Sequence, residues 1–321
     1  MKQLSFSDAE YSGKRKQTRR EVFLAEMERA VPWRQLEGLI EPHYPKIGGG
    51  RPPYALSTML RIHCLQQWYG LSDPAMEEAL YEIASMRQFA GLSLARGAVP
   101  DETTILKFRH LLERHELARQ IFEAIKGHLQ AKGLMLRQGT IVDATIVSAA
   151  SSIKNSTGER DPEMHQTRKG NQWYFGMKAH VGVDAESSLV HSLIGTAANV
   201  ADVTQAHDLL HGEETVAFGD AGYTGVGKRP ERKRSITWHV AMRPGKRRAL
   251  GKTRLGRLYD KMERLKAQVR ARGEHAFRVV KRQFGYVKVR YRGLAKNTAQ
   301  LHMLFALANI WTVRRRLLAT G

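Results

Sequence analysis

Gly139-Thr-Ile-Val-Asp-Ala-Thr-Ile-Val-Ser148 is a run of β-branched residues with one acid, Asp143, near its centre. Such a run reads as a buried strand, and it marks a change of texture along the chain. Upstream, residues 1–136 place apolar side chains at spacings of three and four, as packed helices do. One helix is expected to open at Asp73, with Pro74 in its first turn, and to turn Met76, Leu80, Ile83 and Met86 inward. Another opens near Asp101 and carries Ile105, Phe108, Leu111 and Leu112, with a connector at 91–100 between the two. Downstream, strands are expected at 139–148, 176–184, 188–196, 214–220 and 235–242, with a helix at 197–210 among them. A long helix follows, carrying Leu255, Leu258, Met262, Leu265 and Val269. The expected fold class is therefore α+β, a helical N-terminal region (1–136) ahead of a mixed-sheet domain (137–321) covered by helices. The segment 149–172 has no apolar period and reads as a mobile surface loop or lid.

Composition narrows the function. The 321 residues hold 52 Lys plus Arg against 31 Asp plus Glu, a net charge of +21. A hydrophobic content of 42% excludes disorder, and a single cysteine, Cys64, excludes a disulfide scaffold or a multi-cysteine metal knuckle. The first residues have charges but no apolar core behind them, so no secretory signal is expected, and a cytoplasmic protein is. Leu301–Val313 is too short to span roughly 30 Å of hydrocarbon and reads as a buried helix rather than a membrane segment. The positive excess is local. Residues 228–292 contain 23 Lys plus Arg and four acids, Glu231, Asp260, Glu263 and Glu274, a net of +19. A solvated face normally mixes both signs; this one calls for a polyanion, with nucleic acid the leading partner. A smaller cluster, Lys14, Arg15, Lys16, Arg19 and Arg20, precedes the first helical pattern as a DNA-contacting arm or a soluble tail.

Three carboxylates are candidates for chemistry. Asp143 interrupts an apolar strand, where an ionisable group needs a partner, a metal or a function, unless it simply bonds nearby backbone. Asp220 ends the next apolar run and enters the glycine-rich turn Ala221–Gly225, either as a site residue or as a turn cap. Glu274 lies on a basic helix, with Arg270, Arg278 and Lys281 on its face and Phe277, Val280 and Phe284 adjoining. Brought together, these carboxylates would repel, and divalent cations remove that conflict. All-oxygen ligation suits Mg²⁺ or Mn²⁺, and two such ions support in-line phosphodiester displacement. P-loop and GxGxxG motifs are absent from the sequence. Asp184, Asp202 and Asp208 rank below the three as rivals, Asp202 reading as a helix-start residue.

Beyond these residues the chain resembles a known family. MLRIHCLQQWYGLSD (59–73), EALYEIASMRQFAGLSL (78–94), PDETTILKFRHLLE (100–113), VDATIV around Asp143, RDPEMHQTRKGNQWYFGMKAHVGVDA (160–185), GDAGYTG (219–225) and EHAFRVVKRQFGYVKVRYRGLAKN (274–297) occur in order along it. They are similar to bacterial insertion-sequence transposases of the DDE type, in the insertion-sequence-five family of the insertion-sequence-four superfamily. The resemblance implies a ribonuclease H-like catalytic domain with an insertion before the last catalytic helix, and Asp143, Asp220 and Glu274 as a triad holding two Mg²⁺ or Mn²⁺ ions. It implies binding of terminal inverted repeats, strand cleavage and joining of the 3′-hydroxyls to target DNA by a homo-oligomer pairing two ends, at the bacterial nucleoid and without a membrane. Arg270 and Lys281 would then meet phosphate, and Arg278, Arg282, Lys288, Arg290 and Arg292 extend the DNA surface. Lys178 and His180, alternate on one strand, are expected at the active edge or in the sheet, and Trp238 either stacks on an extruded base or packs in the core. Departures from the family pattern are Ala267 at a tyrosine position, Gly273 and Ala276 beside the glutamate, and Ala201 in place of a histidine. Competing readings are a catalytically impaired DNA-binding regulator and a structure-selective nuclease of the same fold.

Overall fold

A computed structural model describes residues 16–48, 52–136, 138–154, 158–229 and 236–319. Lys14, Arg15 and Glu231 lie outside the described residues. The chain divides into two compact units, 1–128 with 306–321, and 129–305.

The first unit is helical: α1 (Arg19–Ala30), α2 (Trp33–Ile40), α3 (Leu56–Tyr69), α4 (Asp73–Glu82), α5 (Ala84–Phe89), α6 (Glu102–Arg114) and most of α7 (Leu117–Ala131). Leu36, Leu60, Leu65, Met76, Leu80 and Ile121 are fully buried in it. The helix expected to open at Asp73 is capped one residue earlier, where Ser72 Oγ accepts from the Ala75 N–H at 3.3 Å. It also stops sooner than its apolar spacing suggests. Ile83 leaves the helical region (φ −104°, ψ 97°), so Met86 belongs to α5. Buried Arg87 occupies the break, donating to the carbonyls of Leu80 (2.9 Å) and Tyr81 (2.8 Å) that the helix end leaves without partners. Asp101 caps α6 as expected, accepting from the Thr104 N–H at 2.7 Å.

The second unit is built on a six-stranded mixed sheet: β1 (Gly139–Ser148), β2 (His165–Lys169), β3 (Gln172–Asp184), β4 (Val190–Ala197), β5 (Val216–Gly219) and β6 (Thr237–Val240). Strand β3 pairs antiparallel with β1, β4 and β2, while β1, β5 and β6 run parallel. Strand β2 is a correction to the expected loop at 149–172. Lys169 pairs with Gln172 across Gly170-Asn171, a two-residue hairpin loop with glycine first at φ 62°. The preceding residues are tied down, since Asp161 accepts from the Gly293 N–H at 2.7 Å and Glu163 from the Leu294 N–H at 2.6 Å. The helix expected at 197–210 shrinks to α8 (Asp202–Gln205). A five-residue α9 (Pro244–Arg248) precedes the long α10 (Arg254–Arg278), a π-helical turn (Val279–Gln283) and α11 (Leu294–Ala319).

In α10 the three-and-four spacing correctly marks a helix but not its buried face. Leu255, Leu258, Met262 and Leu265 are exposed, whereas Gly273, Ala276 and Phe277 are buried. Helix α11 is the buried helix expected near Leu301–Val313. From Ala306 onward it counts with the first unit, where Arg314 pairs with Glu26 at 2.7 Å, so the compact units divide the chain differently from 1–136 and 137–321. Among the described residues, no helix is long and apolar enough to cross a membrane.

On β3, a Cβ added at Gly182 would lie 2.2 Å from the Leu209 carbonyl oxygen and 2.7 Å from His191 Cε1. Backbone does not yield as a side chain does, so Gly182→Ala is expected to destabilise the protein by about 1–3 kcal/mol. A lowered urea midpoint against wild type is the measurement.

Candidate active site

Asp143 sits within β1, half-buried, its carboxylate accepting the Ala144 N–H at 2.8 Å. Burial pushes this carboxyl from near 3.8 up to about 6; the Ala144 N–H and the Arg270 charge draw it down, and the negative charges of Asp220 and Glu274 push it up again. Charges act in this way only from nearby. The three carboxylates therefore share one electrostatic neighbourhood, with Arg270 as a counter-charge.

The sheet explains the meeting. The β1–β5 register pairs Ile141 with Phe218, and Asp143 and Asp220 each follow two residues on, equal steps that keep both acids on the face of that pair. Asp220 then leaves the sheet, its Oδ1 accepting the Gly222 N–H at 2.8 Å as cap of the short 3₁₀ turn Ala221–Tyr223. Glu274 comes from α10, which crosses the same face. A Cβ added at the adjoining Gly273 would lie 3.0 Å from Ile141 Cγ2, so a glycine there lets the helix backbone settle against β1.

As donors, these groups suit a hard divalent cation. They offer only oxygens, and their mutual repulsion is the kind a cation relieves. Among the described residues, no three His, Cys, Asp or Glu side chains close into a ready-made metal cage. Mg²⁺ does not demand one, because it keeps several waters and takes one or two carboxylates together with substrate phosphate.

The other expected site residues divide into two groups. Arg270 is half-buried beside Asp143, and Arg278, Arg282, Lys288, Arg290 and Arg292 are exposed. Lys288 bridges to Ser148, which carries the basic run alongside the end of β1. Lys281 is different. From the π-helical turn its Nζ donates to Thr145 Oγ1 (2.7 Å) and the Ile146 carbonyl (2.9 Å), and burial, followed by the Lys169 charge, lowers its pKa. It ties the helix end to β1 on the strand face that carries Asp143.

His180 corrects the expectation of a DNA contact. It is completely buried, Nε2 sits 2.8 Å from Thr196 Oγ1, and burial lowers its pKa to about 4. Lys178 shares that face of the sheet, opposite Asp143, and donates to Asp202 Oδ1 (2.8 Å) and the Val200 carbonyl (2.7 Å). Trp238 packs against the cluster of Val142, Ala206, Leu209, Tyr223 and Val226, and its ring meets His207 edge-on at 5.7 Å; the core reading of this residue holds.

Two further residues belong to this neighbourhood, Asp202, ranked only as a rival in the sequence, and Tyr223, not singled out there. Asp202 is the partner of Lys178, and Tyr223 is fully buried with Asp202, Asp143 and Asp220 all acting on its hydroxyl. An acid at the first position of a helix looks like an ordinary start signal. Only the need of a half-buried lysine for a counter-charge could have singled Asp202 out.

Two comparisons with known families fit this geometry. The family described as "Transposase DDE domain" matches residues 135–310, and "Transposase domain (DUF772)" matches residues 12–111. No solved structure matches the chain.

A carboxyl whose folded pKa is raised keeps its proton longer in the folded chain than in the unfolded one, so ionising it removes stability as pH rises from about 4 to about 6. In divalent-free buffer, Asp143→Asn is therefore expected to raise the melting temperature at pH 7.5, by an equivalent of at most about 3 kcal/mol. The gain should shrink through pH 4 and vanish at about pH 3 and below, where the wild-type carboxyl is protonated in both states. Paired thermal melts at the two pH values measure it.

Proposed function

This chain belongs to the transposase DDE-domain family, and on that premise we propose that it is an insertion-sequence transposase. It binds the terminal inverted repeats of its element, cleaves strands there and joins the exposed 3′-hydroxyls to target DNA. The observation that carries the reading is the convergence of the Asp220 and Glu274 charges on half-buried Asp143, where β1 leaves its parallel partner. The strand order β4-β3-β1-β5-β6, with β3 antiparallel to its neighbours, supports a ribonuclease H-like catalytic domain. The insertion-sequence-five assignment rests on the motifs from residue 59 to residue 297.

In this reading Asp143, Asp220 and Glu274 hold the divalent ions. Mg²⁺ or Mn²⁺, when bound, stabilises charge on the attacking and leaving oxygens of the phosphodiester. Arg270 faces a scissile phosphate and offsets its charge beside the carboxylates. The exposed Arg278, Arg282, Lys288, Arg290 and Arg292 hold the DNA backbone, each contact releasing counterions. Lys281 keeps α10 on β1 and thereby sets the reach of Glu274. The protein works as a homo-oligomer that pairs two ends, in the cytoplasm at the nucleoid.

Asp143→Asn, Asp220→Asn and Glu274→Gln are each expected to abolish cleavage and joining of labelled element ends, with end binding within a few-fold of wild type. Chelation by EDTA should do the same to wild type. Full activity of the Asp143 variant, or turnover in EDTA, rejects the assignment; binding without nicking by wild type in Mg²⁺ or Mn²⁺ identifies a regulator instead. Replacing both Lys288 and Arg290 by Ala should weaken binding to all duplex sequences and flatten its log-log salt dependence by about two.

A further inference from the structure

The two carboxylate oxygens of Asp202 have different surroundings. Oδ1 is taken by Lys178 Nζ at 2.8 Å, with His180 Nδ1 a further 3.8 Å contact. Oδ2 faces Gly222: a Cβ added there would lie 3.8 Å from Asp202 Oδ2 and 2.9 Å from Asp220 Oδ1. The two carboxylates thus flank one glycine, and the absence of a side chain at 222 leaves the space between them open.

A second observation points to something bound among these acids. Tyr223 is 0% exposed, and its hydroxyl has no hydrogen-bond partner among the described residues. A buried hydroxyl left without a partner gives up its hydration with nothing in return. It is rare in native structures, where a water or an ion with its waters usually completes such a site. Tyr223 adjoins Gly222 in the chain, and its N–H donates to the Asp220 carbonyl at 3.1 Å, so the unpartnered side chain starts from the turn that carries Asp220.

We infer that Asp202 is a fourth carboxylate serving the divalent-ion site, placed beside Asp220 across Gly222 and anchored from behind by Lys178. The inference rests on the reading of Asp143, Asp220 and Glu274 as the ion-holding residues and adds a residue to it. An ion next to Asp220 feels a further negative charge, which the Lys178 ammonium on Oδ1 partly offsets. A purely structural ion pair makes a different demand, because loss of either partner would then have the same effect.

Calorimetric titration of the full chain with Mn²⁺ alone, without DNA, separates the two, with a thermal melt of each variant alongside. Asp202→Asn is expected to weaken Mn²⁺ binding about tenfold, the range seen when groups supporting metal ligands are removed. Lys178→Met leaves the carboxylate charged and removes a competing cation, so binding should strengthen. Unchanged affinity in a folded Asp202→Asn protein overturns the inference, as does equal weakening in both variants, the mark of a structural strut. If Asp202→Asn melts below the assay temperature, the Lys178→Met titration decides alone: strengthened Mn²⁺ binding upholds the inference, and unchanged or weakened binding rejects it. Asp220→Asn is the control for the underlying reading. If it fails to weaken Mn²⁺ binding, that reading falls and Asp202 falls with it; if it weakens binding while Asp202→Asn does not, only the inference is lost.

Discussion

Keeping a carboxylate within an apolar strand sets its loss of hydration against whatever the fold puts around it. For Asp143 the fold supplies one backbone N–H and one guanidinium, and then adds two more negative charges. The balance leaves the acid reluctant to ionise, which is poor design for stability alone. The rest of the second unit can be traced to maintaining this arrangement. Parallel pairing of β1 with β5 delivers Asp220, close packing of Gly273 on Ile141 brings Glu274, and Lys281 fastens the helix end to Thr145 and Ile146.

The fastening depends on a departure from regular helix. A π-helical turn at Val279–Gln283 follows directly on α10 and changes the direction of side chains after Glu274. Such turns are uncommon and concentrate at functional sites. Thr145 lies two residues beyond Asp143 on β1, so Lys281 meets the same face of the strand that Gly273 packs against through Ile141.

What the sequence made legible follows from which physical signals are local. The strand around Asp143 could be read with its exact bounds because its β-branched run is nowhere exposed, and Asp220 because an apolar run ends there in glycines. Polar β2 was hidden, since His165–Lys169 is mostly exposed and has no apolar face to display; its pairing comes from the Gly170 turn. Lys178 and His180 show the limit of alternation, which puts residues on a common face without saying which face meets the site. Antiparallel register with β1 sets them opposite Ala144 and Ile146 rather than Asp143. Helix α10 shows another limit, because periodicity finds an apolar stripe but cannot tell whether anything in the same chain covers it.

Gly273 bears on whether the chain's departures from its family mark decay. In an exposed helix a glycine lowers stability by up to about 1 kcal/mol relative to alanine and loosens its neighbours. Here it is buried, with Ile141 Cγ2 only 3.0 Å from where a Cβ would stand, so a side chain at this position requires Ile141 or the helix to give by a few tenths of an ångström. Ala276, also buried, is small in keeping with the same close approach. The two substitutions beside the glutamate thus fit a helix drawn tightly onto β1, and the helical cost of Gly273 is set against the burial that its small size permits. They are consistent with a working site in which helix position, more than helix propensity, determines where the third carboxylate stands.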